Sequence, residues 1–256
     1  MAQKIKPKNS DSESINWSNI DTILLDMDGT LLDLNFDLHF WMEYIPLAFA
    51  NKHNLTHDEA KDKLFPIFRA EEGKLHWYCL DYWQEKLQLD IAKLKEDVAH
   101  LIQIHPFVLE FLTQAKVHKK RIYLVTNAHR KTIQLKMQIT NLASYFDDII
   151  SSHDYNVAKE KQEFWHKLEN AIQFDKTKSI FFDDSLSVLK SAKQYGISTV
   201  VAISKPSSKV ETKQIEGFIN IETFENVFSI NWIKKSDLAD KEKVDNPLKP
   251  DIINVI

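Results

Sequence analysis

The stretch ILLDMDGTLLD, residues 23–33, decides the fold. Ile23, Leu24 and Leu25 form an apolar run without polar alternation, the pattern of a strand buried on both faces. The run stops abruptly at Asp26, Asp28, Gly29 and Thr30. Two carboxylates and a glycine at the carboxyl end of a buried parallel strand stand where open α/β sheets hold their ligands. At this spacing Asp26 can direct a carboxylate at an electrophile, while Asp28 approaches the same atom from the leaving-group side. Gly29 lets the backbone come close to an anion, and Thr30 is expected to brace the turn through a hydrogen bond. A competing reading makes these ordinary turn residues, or part of a calcium loop, which also uses Asp-x-Asp-Gly. The apolar strand before the motif and Thr-Leu-Leu after it favour a catalytic turn.

Beyond Asp33 the pattern is helical for a long way. Apolar residues recur at helical spacing through Phe36, Phe40 and Trp41, then Leu64, Ile67 and Phe68, then Ile91, Leu94 and Val98. His105-Pro106 marks a return to the core, followed by an amphipathic helix through Phe107, Leu109, Phe111 and Leu112. Strands are then expected at 121–126, 148–150, 179–183 and 199–201. Helices alternate with them, and Gly196 stands at a left-handed helix end. This alternation predicts an α/β, Rossmann-like fold: a parallel sheet flanked by helices. The expected division is a tail over 1–14, a core over 15–34 and 105–235, a helical insertion over 35–104, and a second tail over 236–256.

The 256 residues are 43% hydrophobic, enough for a sizeable core and a smaller subdomain. With 33 basic and 37 acidic residues the net charge is -4, which gives no reason to expect nucleic-acid or membrane partners. Cys79 is the only cysteine, so no internal disulfide can form and a reducing, cytoplasmic setting is expected. No apolar run reaches the length of a membrane span, and no apolar signal region opens the chain.

Three further groups carry chemistry. Thr126-Asn127 ends a strand, where a hydroxyl and backbone amides can hold a phosphoryl oxygen; a helix N-cap is the plainer alternative. Lys159 precedes the helix of Trp165, where a cation opposes the helix dipole, so another interaction is expected to hold it there. Asp183 and Asp184 end the strand SIFFD, and adjacent carboxylates need a compensating cation. Hard oxygen donors of this kind suit Mg²⁺. Helix capping would account for Asp184 alone.

In this order, and each at the end of an expected strand, the groups resemble the motifs of the haloacid dehalogenase (HAD) superfamily. The family's first motif, Asp-x-Asp-x-Thr, is matched by Asp26, Asp28 and Thr30. The resemblance implies that residues 35–104 form an all-α helical cap inserted after the first strand. It implies Mg²⁺ held by Asp26, the Asp28 main-chain carbonyl and Asp184, with Asp183 acting through water. It also implies a lysine that neutralises phosphate and nucleophile. Where the family has glycine and proline near that lysine, this chain has Asn156 and Ala158, which leaves Lys161 as a rival to Lys159.

The superfamily contains phosphatases, phosphomutases, phosphonatases and dehalogenases. A halide leaving group needs no acid, so Asp28 points to phosphate esters. In that chemistry Asp26 attacks phosphorus and Asp28 protonates the departing oxygen, while Thr126 and Lys159 stabilise the transferring group. The Leu-Asp-Leu-x-Phe-Asp continuation at 32–37 and the block Trp-Tyr-Cys-Leu-Asp-Tyr-Trp at 77–83 are similar to the GMP/IMP 5′-nucleotidase branch. So are Thr126-Asn127-Ala128-His129, Lys159-Glu160 and Trp165-His166. The branch implies hydrolysis of purine nucleoside 5′-monophosphates. The substrate-binding residues expected on this reading are Gly29, Asn127, Phe36, Asp37, Trp41, Trp77, Tyr78 and Asp81. Each aromatic is weighed against plain membership of the cap core. The alternatives are a phosphatase for another small phosphate (phosphoglycolate or a sugar phosphate) and a catalytically silent phosphate-binding protein.

Overall fold

The structure, a computed structural model, describes residues 15–227. The expected tails at 1–14 and 236–256, and the end of the expected core at 228–235, lie outside the described residues.

Among the described residues six strands make one sheet: β1 (Thr22–Leu25), β2 (Arg121–Thr126), β3 (Asp148–Ser151), β4 (Ser179–Asp183), β5 (Thr199–Ile203) and β6 (Ile219–Ile221). All neighbours pair in parallel, in the order β3-β2-β1-β4-β5-β6. The chain order reverses beside β1, so its carboxyl end opens at the switch point where such sheets bind ligands. β6 was not among the expected strands. It has three residues, two of them half-buried, and sits at the sheet edge, too short to show a pattern.

The apolar run of β1 follows from its place in mid-sheet. Ile23 and Leu25 face one side and pack with Phe111, Ile122, Leu124, Ile180 and Phe182. Leu24 faces the other, with Val125, Trp165, Leu168 and Phe181. With both faces covered there is no water for a polar residue to meet, which is why alternation is absent.

Between β1 and β2 lies an all-helical cap. It comprises α1 (Asn35–His39), a π-helical turn (Phe40–Tyr44), α2 (Ile45–His53), α3 (His57–Glu71), α4 (Leu75–Tyr78), α5 (Leu80–Leu87) and α6 (Ile91–Asp97). A capping box starts α3: the Thr56 and Glu59 side chains each accept the other's backbone N–H. The cap core is aromatic, with Phe40, Phe68 and Trp83 buried and the Phe68 and Trp83 rings edge-on at 5.1 Å. The core domain continues with α7 (Val108–Val117), α8 (Arg130–Thr140), α9 (Gln162–Ile172) and α10 (Leu186–Tyr195). Phe107, expected on the first of these, precedes it in left-handed conformation at φ 65.

The two chain crossings between core and cap pair with each other. Asp33 N–H donates to Gln103 O at 2.9 Å and His105 N–H to Leu31 O at 2.9 Å. The loop after β5 holds the pair, because Leu34 N–H reaches Pro206 O at 2.9 Å and the Asp33 carboxylate accepts Ser208 N–H at 3.1 Å. No helix among the described residues is long and apolar enough to cross a membrane.

Candidate active site

The sheet register builds the site. Leu25 pairs with Phe182, so the next residues, Asp26 and Asp183, emerge side by side. Asp26 N–H donates to Phe182 O at 3.0 Å. Beyond them the chain turns at Gly29, whose φ is +78. A Cβ there would stand 2.5 Å from Asp184 Oδ2, so only glycine lets this turn lie against the carboxylate. The Thr30 hydroxyl does not brace the turn as expected, being buried without a hydrogen-bond partner among the described residues. Backbone bonds do so instead, from Leu31 N–H and Leu32 N–H to Met27 O at 3.0 and 2.9 Å.

Lys159 lies in the loop before α9 and is 2% exposed. Its Nζ donates to Asp26 Oδ1 at 2.5 Å, Asp183 Oδ2 at 2.7 Å and Val125 O at 3.1 Å. These three acceptors, rather than a helix end, hold the cation. The backbone is fixed too, since Lys159 N–H donates to Asn127 Oδ1 at 3.0 Å. Lys161 is exposed and stands at the N-cap of α9, so the structure puts Lys159 on Asp26. Thr126 Oγ1 accepts Ala128 N–H at 3.0 Å, and neither it nor Asn127 caps α8; His129 takes that position. Asp184 caps no helix either: Ser185 is the N-cap of α10, and its N–H donates to Asp183 Oδ1 at 2.8 Å.

Asp28 is held by a residue that the sequence reading passed over. Lys136 of α8, 1% exposed, donates from Nζ to Asp28 Oδ1 at 2.5 Å and to Asp37 Oδ2 at 2.5 Å. Lys95 of α6, 2% exposed, donates to Asp37 Oδ1 at 2.9 Å. A chain of alternating charge, Asp28, Lys136, Asp37 and Lys95, thus runs from the turn after β1 into the cap. The Lys95 ammonium also sits over the Phe36 and Phe40 rings at 4.8 and 4.5 Å. Both lysines had a legible signal. Lys136 continues the buried stripe of Thr132, Ile133 and Met137, and Lys95 that of Ile91 and Val98. A lysine on an apolar stripe needs a buried anion.

A cavity of about 280 Å³ covers these carboxylates. Asp26, Asp28, Thr126, Asn127, Lys159, Asp183 and Asp184 line its core side. Trp41, on the π-helical turn, and Trp77 and Tyr78 of α4 line its cap side. The expected binding residues therefore divide. Phe36 is 1% exposed beneath the two lysines and does not line the cavity. Asp37 lines it with both oxygens engaged by lysines. Asp81 is outside the cavity, exposed, with Lys131 Nζ at 2.6 Å and His129 Nε2 at 3.6 Å. Gly29 acts behind the lining, against Asp184. Tyr78 is fixed across the cap–core boundary, its hydroxyl donating to Glu160 Oε1 at 2.9 Å. The other Glu160 oxygen accepts Asn127 Nδ2 at 3.0 Å.

Crowding shapes the electrostatics. Burial pushes the Asp26 carboxyl up to about 7, with Asp183 adding to the rise and Lys159 opposing it. Burial likewise raises Asp28 to about 6, against Lys136. Asp184 is raised well above the ordinary carboxylate range by burial and by Asp183 and Asp26. Burial works against the charge of Asp37 as well, but Lys136 and Lys95 outweigh it and hold the carboxyl at about 2. Its anion is the keystone between two buried cations. Asp37→Asn should therefore lower the free energy of unfolding by about 3–5 kcal/mol, the usual result of removing one partner from a buried ion pair. A urea midpoint that falls at unchanged slope would register the loss. An unchanged midpoint would mean that the lysines are solvated.

Asp26, Asp183 and Asp184 each offer an oxygen, all within 4.8 Å of one another. Three carboxylates face one lysine, and an all-oxygen set of this kind fits Mg²⁺. The Asp28 carboxylate, bonded to Lys136, is not one of these three donors.

The family model for haloacid dehalogenase-like hydrolases matches residues 20–196, which hold all of these carboxylates and lysines. The chain belongs to this family, and it is an enzyme, a phosphatase of the haloacid dehalogenase type. It is 35% identical to "GMP/IMP nucleotidase YrfG" of Escherichia coli K12 over 203 residues, 79% of this chain and 91% of that protein. A HAD phosphatase from Thermococcus onnurineus shares the fold at TM-score 0.68 and 21% identity, over 80% of this chain and 94% of that one. The HAD-hydrolase YfnB of Bacillus subtilis, solved with magnesium, aligns at TM-score 0.59 and 20% identity, over 84% of this chain and 99% of that one.

Proposed function

We propose that this enzyme hydrolyses purine nucleoside 5′-monophosphates, GMP and IMP foremost, to nucleoside and phosphate. One observation carries the reading: a single cavity has the paired aspartates as its floor and Trp41, Trp77 and Tyr78 as its cap wall. A phosphate seated on Asp26 leaves the rest of the substrate facing these rings, and stacking a base on an aromatic contributes roughly 1–3 kcal/mol. The identity to a protein named for GMP and IMP supports the same choice.

In this reading Asp26 attacks phosphorus in line and the ester oxygen departs, leaving an aspartyl-phosphate. Asp28 gives that oxygen its proton, then takes one from the water that hydrolyses the intermediate, a role worth about 10²–10⁴ in rate. Lys136 fixes one oxygen of the Asp28 carboxyl, and the other is left to exchange the proton. Lys159 neutralises Asp26 as the anionic substrate approaches, and Thr126, Asn127 and Lys159 surround the transferring group. Asp26, Asp183 and Asp184, with the Asp28 main chain, would hold Mg²⁺, which supplies charge compensation at the phosphoryl oxygens. A free Cys79 and no disulfide suit a cytoplasmic setting.

The test is phosphate release with Mg²⁺ across GMP, IMP, AMP, UMP, phosphoglycolate and several sugar phosphates. The highest kcat/KM on GMP and IMP is expected, with loss of activity in EDTA. A best rate on a non-nucleotide would keep the phosphatase and return the cap rings to a packing role.

A further inference from the structure

A second cluster of donors lies across the cap–core boundary, beside the catalytic cavity. Cys79 comes from the cap, where it is the N-cap of α5. His129 caps α8, and His153 stands on the 3₁₀ turn Ser152–Tyr155 after β3. One ligand atom from each lies within 4.8 Å of the other two. The two imidazole rings have centroids 5.1 Å apart and are T-shaped at 77°, not stacked.

Nothing in the catalytic arrangement explains this convergence. Among the described residues His153 Nε2 is buried with no partner in good hydrogen-bond geometry, although the Asn127 and Tyr78 main chains lie near the ring, so a metal would satisfy it better than what surrounds it. Cys79 is a free thiol whose sulfur already accepts Tyr82 N–H at 3.5 Å. Asp81, two residues further on the cap, presents Oδ2 at 3.6 Å from His129 Nε2. The turn that carries His153 is held firmly. Ser151 Oγ accepts His153 N–H at 3.2 Å and donates to Ala128 O at 2.7 Å, which ties it to the loop of His129.

We propose that Cys79, His129 and His153, with Asp81 as a fourth donor at the rim, bind a borderline-soft divalent cation such as Zn²⁺ that staples the cap to the core. The donor types match. Thiolate, imidazole and carboxylate form the tetrahedral sets that Zn²⁺ takes, with arms of about 2.0–2.3 Å and therefore edges of about 3.4–3.7 Å. For Cys79, His129 and His153, whose ligand atoms lie within 4.8 Å of one another, closing to such edges shortens each by at most about 1.1–1.4 Å, within reach of rotamer adjustment, while Asp81, outside that group, has to swing in from beside His129. If His129 ligates through Nε2, its ring proton moves to Nδ1, and the 3.3 Å contact from Lys131 N–H is lost. The same donors are poor ligands for Mg²⁺, which selects oxygen, so the two sites take different ions. His129 also lines the cavity, so a cation here would hold the cap closed over bound product and slow turnover wherever cap opening limits release.

The probe is Co²⁺, titrated with excess Mg²⁺ present to fill the carboxylate site. Because Cys79 is the only cysteine, a thiolate-to-cobalt charge-transfer band reports this site alone. The band should saturate at about one equivalent and disappear in Cys79→Ser. In His153→Gln its affinity should fall by at least about 10–100-fold, the loss that removal of even an outer-shell partner brings. Neither residue belongs to the catalytic cluster, and unfolding temperatures in EDTA check the fold of both variants. Absence of the band in the wild type overturns the site, and an undiminished affinity in His153→Gln leaves only a lone thiol. Zn²⁺ should also slow phosphate release by the wild type and spare Cys79→Ser. Equal inhibition of the two would overturn the staple.

Discussion

Asp26→Asn should lower phosphate release from GMP by about 10⁴–10⁶-fold, the scale seen when a covalent nucleophile is removed. The amide keeps the shape of the carboxylate but offers no anionic oxygen to phosphorus. The fold should survive, because Lys159 retains its 2.7 Å bond to Asp183 and its bond to Val125 O when one of its three acceptors weakens. Burial disfavours the Asp26 charge in the wild type, so losing it removes a cost as well as a partner. Single-turnover phosphate release, with circular dichroism as a fold control, would separate the two effects. A near-normal rate in a folded variant would remove the covalent route and leave Asp26 as a metal ligand only.

Asp28→Asn should cost about 10²–10⁴ on nucleotides, whose ribose 5′-oxygen leaves poorly without a proton. The loss should be much smaller on an aryl phosphate, whose leaving group needs no acid. Equal losses on both substrates would assign Asp28 a structural role. A companion variant tests how the acid is tuned. Lys136 pulls the Asp28 pKa down against burial, which leaves it at about 6. Removing that cation in Lys136→Met moves the pKa upward, so the high-pH fall in kcat/KM should shift to higher pH. An unmoved high-pH limb would mean that Lys136 does not face Asp28 during catalysis.

What the sequence made legible follows from physics that acts locally. β1 and its aspartates stand out because a mid-sheet strand has no wet face and stops sharply at charge. Asp183 beside Asp184 is legible for the same reason, since two acids at a buried strand end need a cation. The parts that did not show depend on helical phase and on partners far along the chain. Phe36 and Asp37 are neighbours, yet a turn of roughly 100° separates them on α1. One therefore enters the core and the other the cavity. The π-helical turn that aims Trp41 at the site leaves no composition mark. Lys95 and Lys136 pair with Asp37 across 58 and 99 residues of chain, and sequence distance conceals such pairs unless a lysine on an apolar stripe is taken seriously.

The paired crossings at Asp33 and His105 have a mechanical consequence. Two independent tethers would let the cap swing and twist about either one. Here the crossings bond to each other and to the loop around Pro206 and Ser208, so they form a short ribbon clamped at its base. A ribbon bends readily across its width and resists shear along its length. Such a ribbon favours rocking about one axis over twisting, a motion that would return Trp41, Trp77 and Tyr78 to the same place over Asp26.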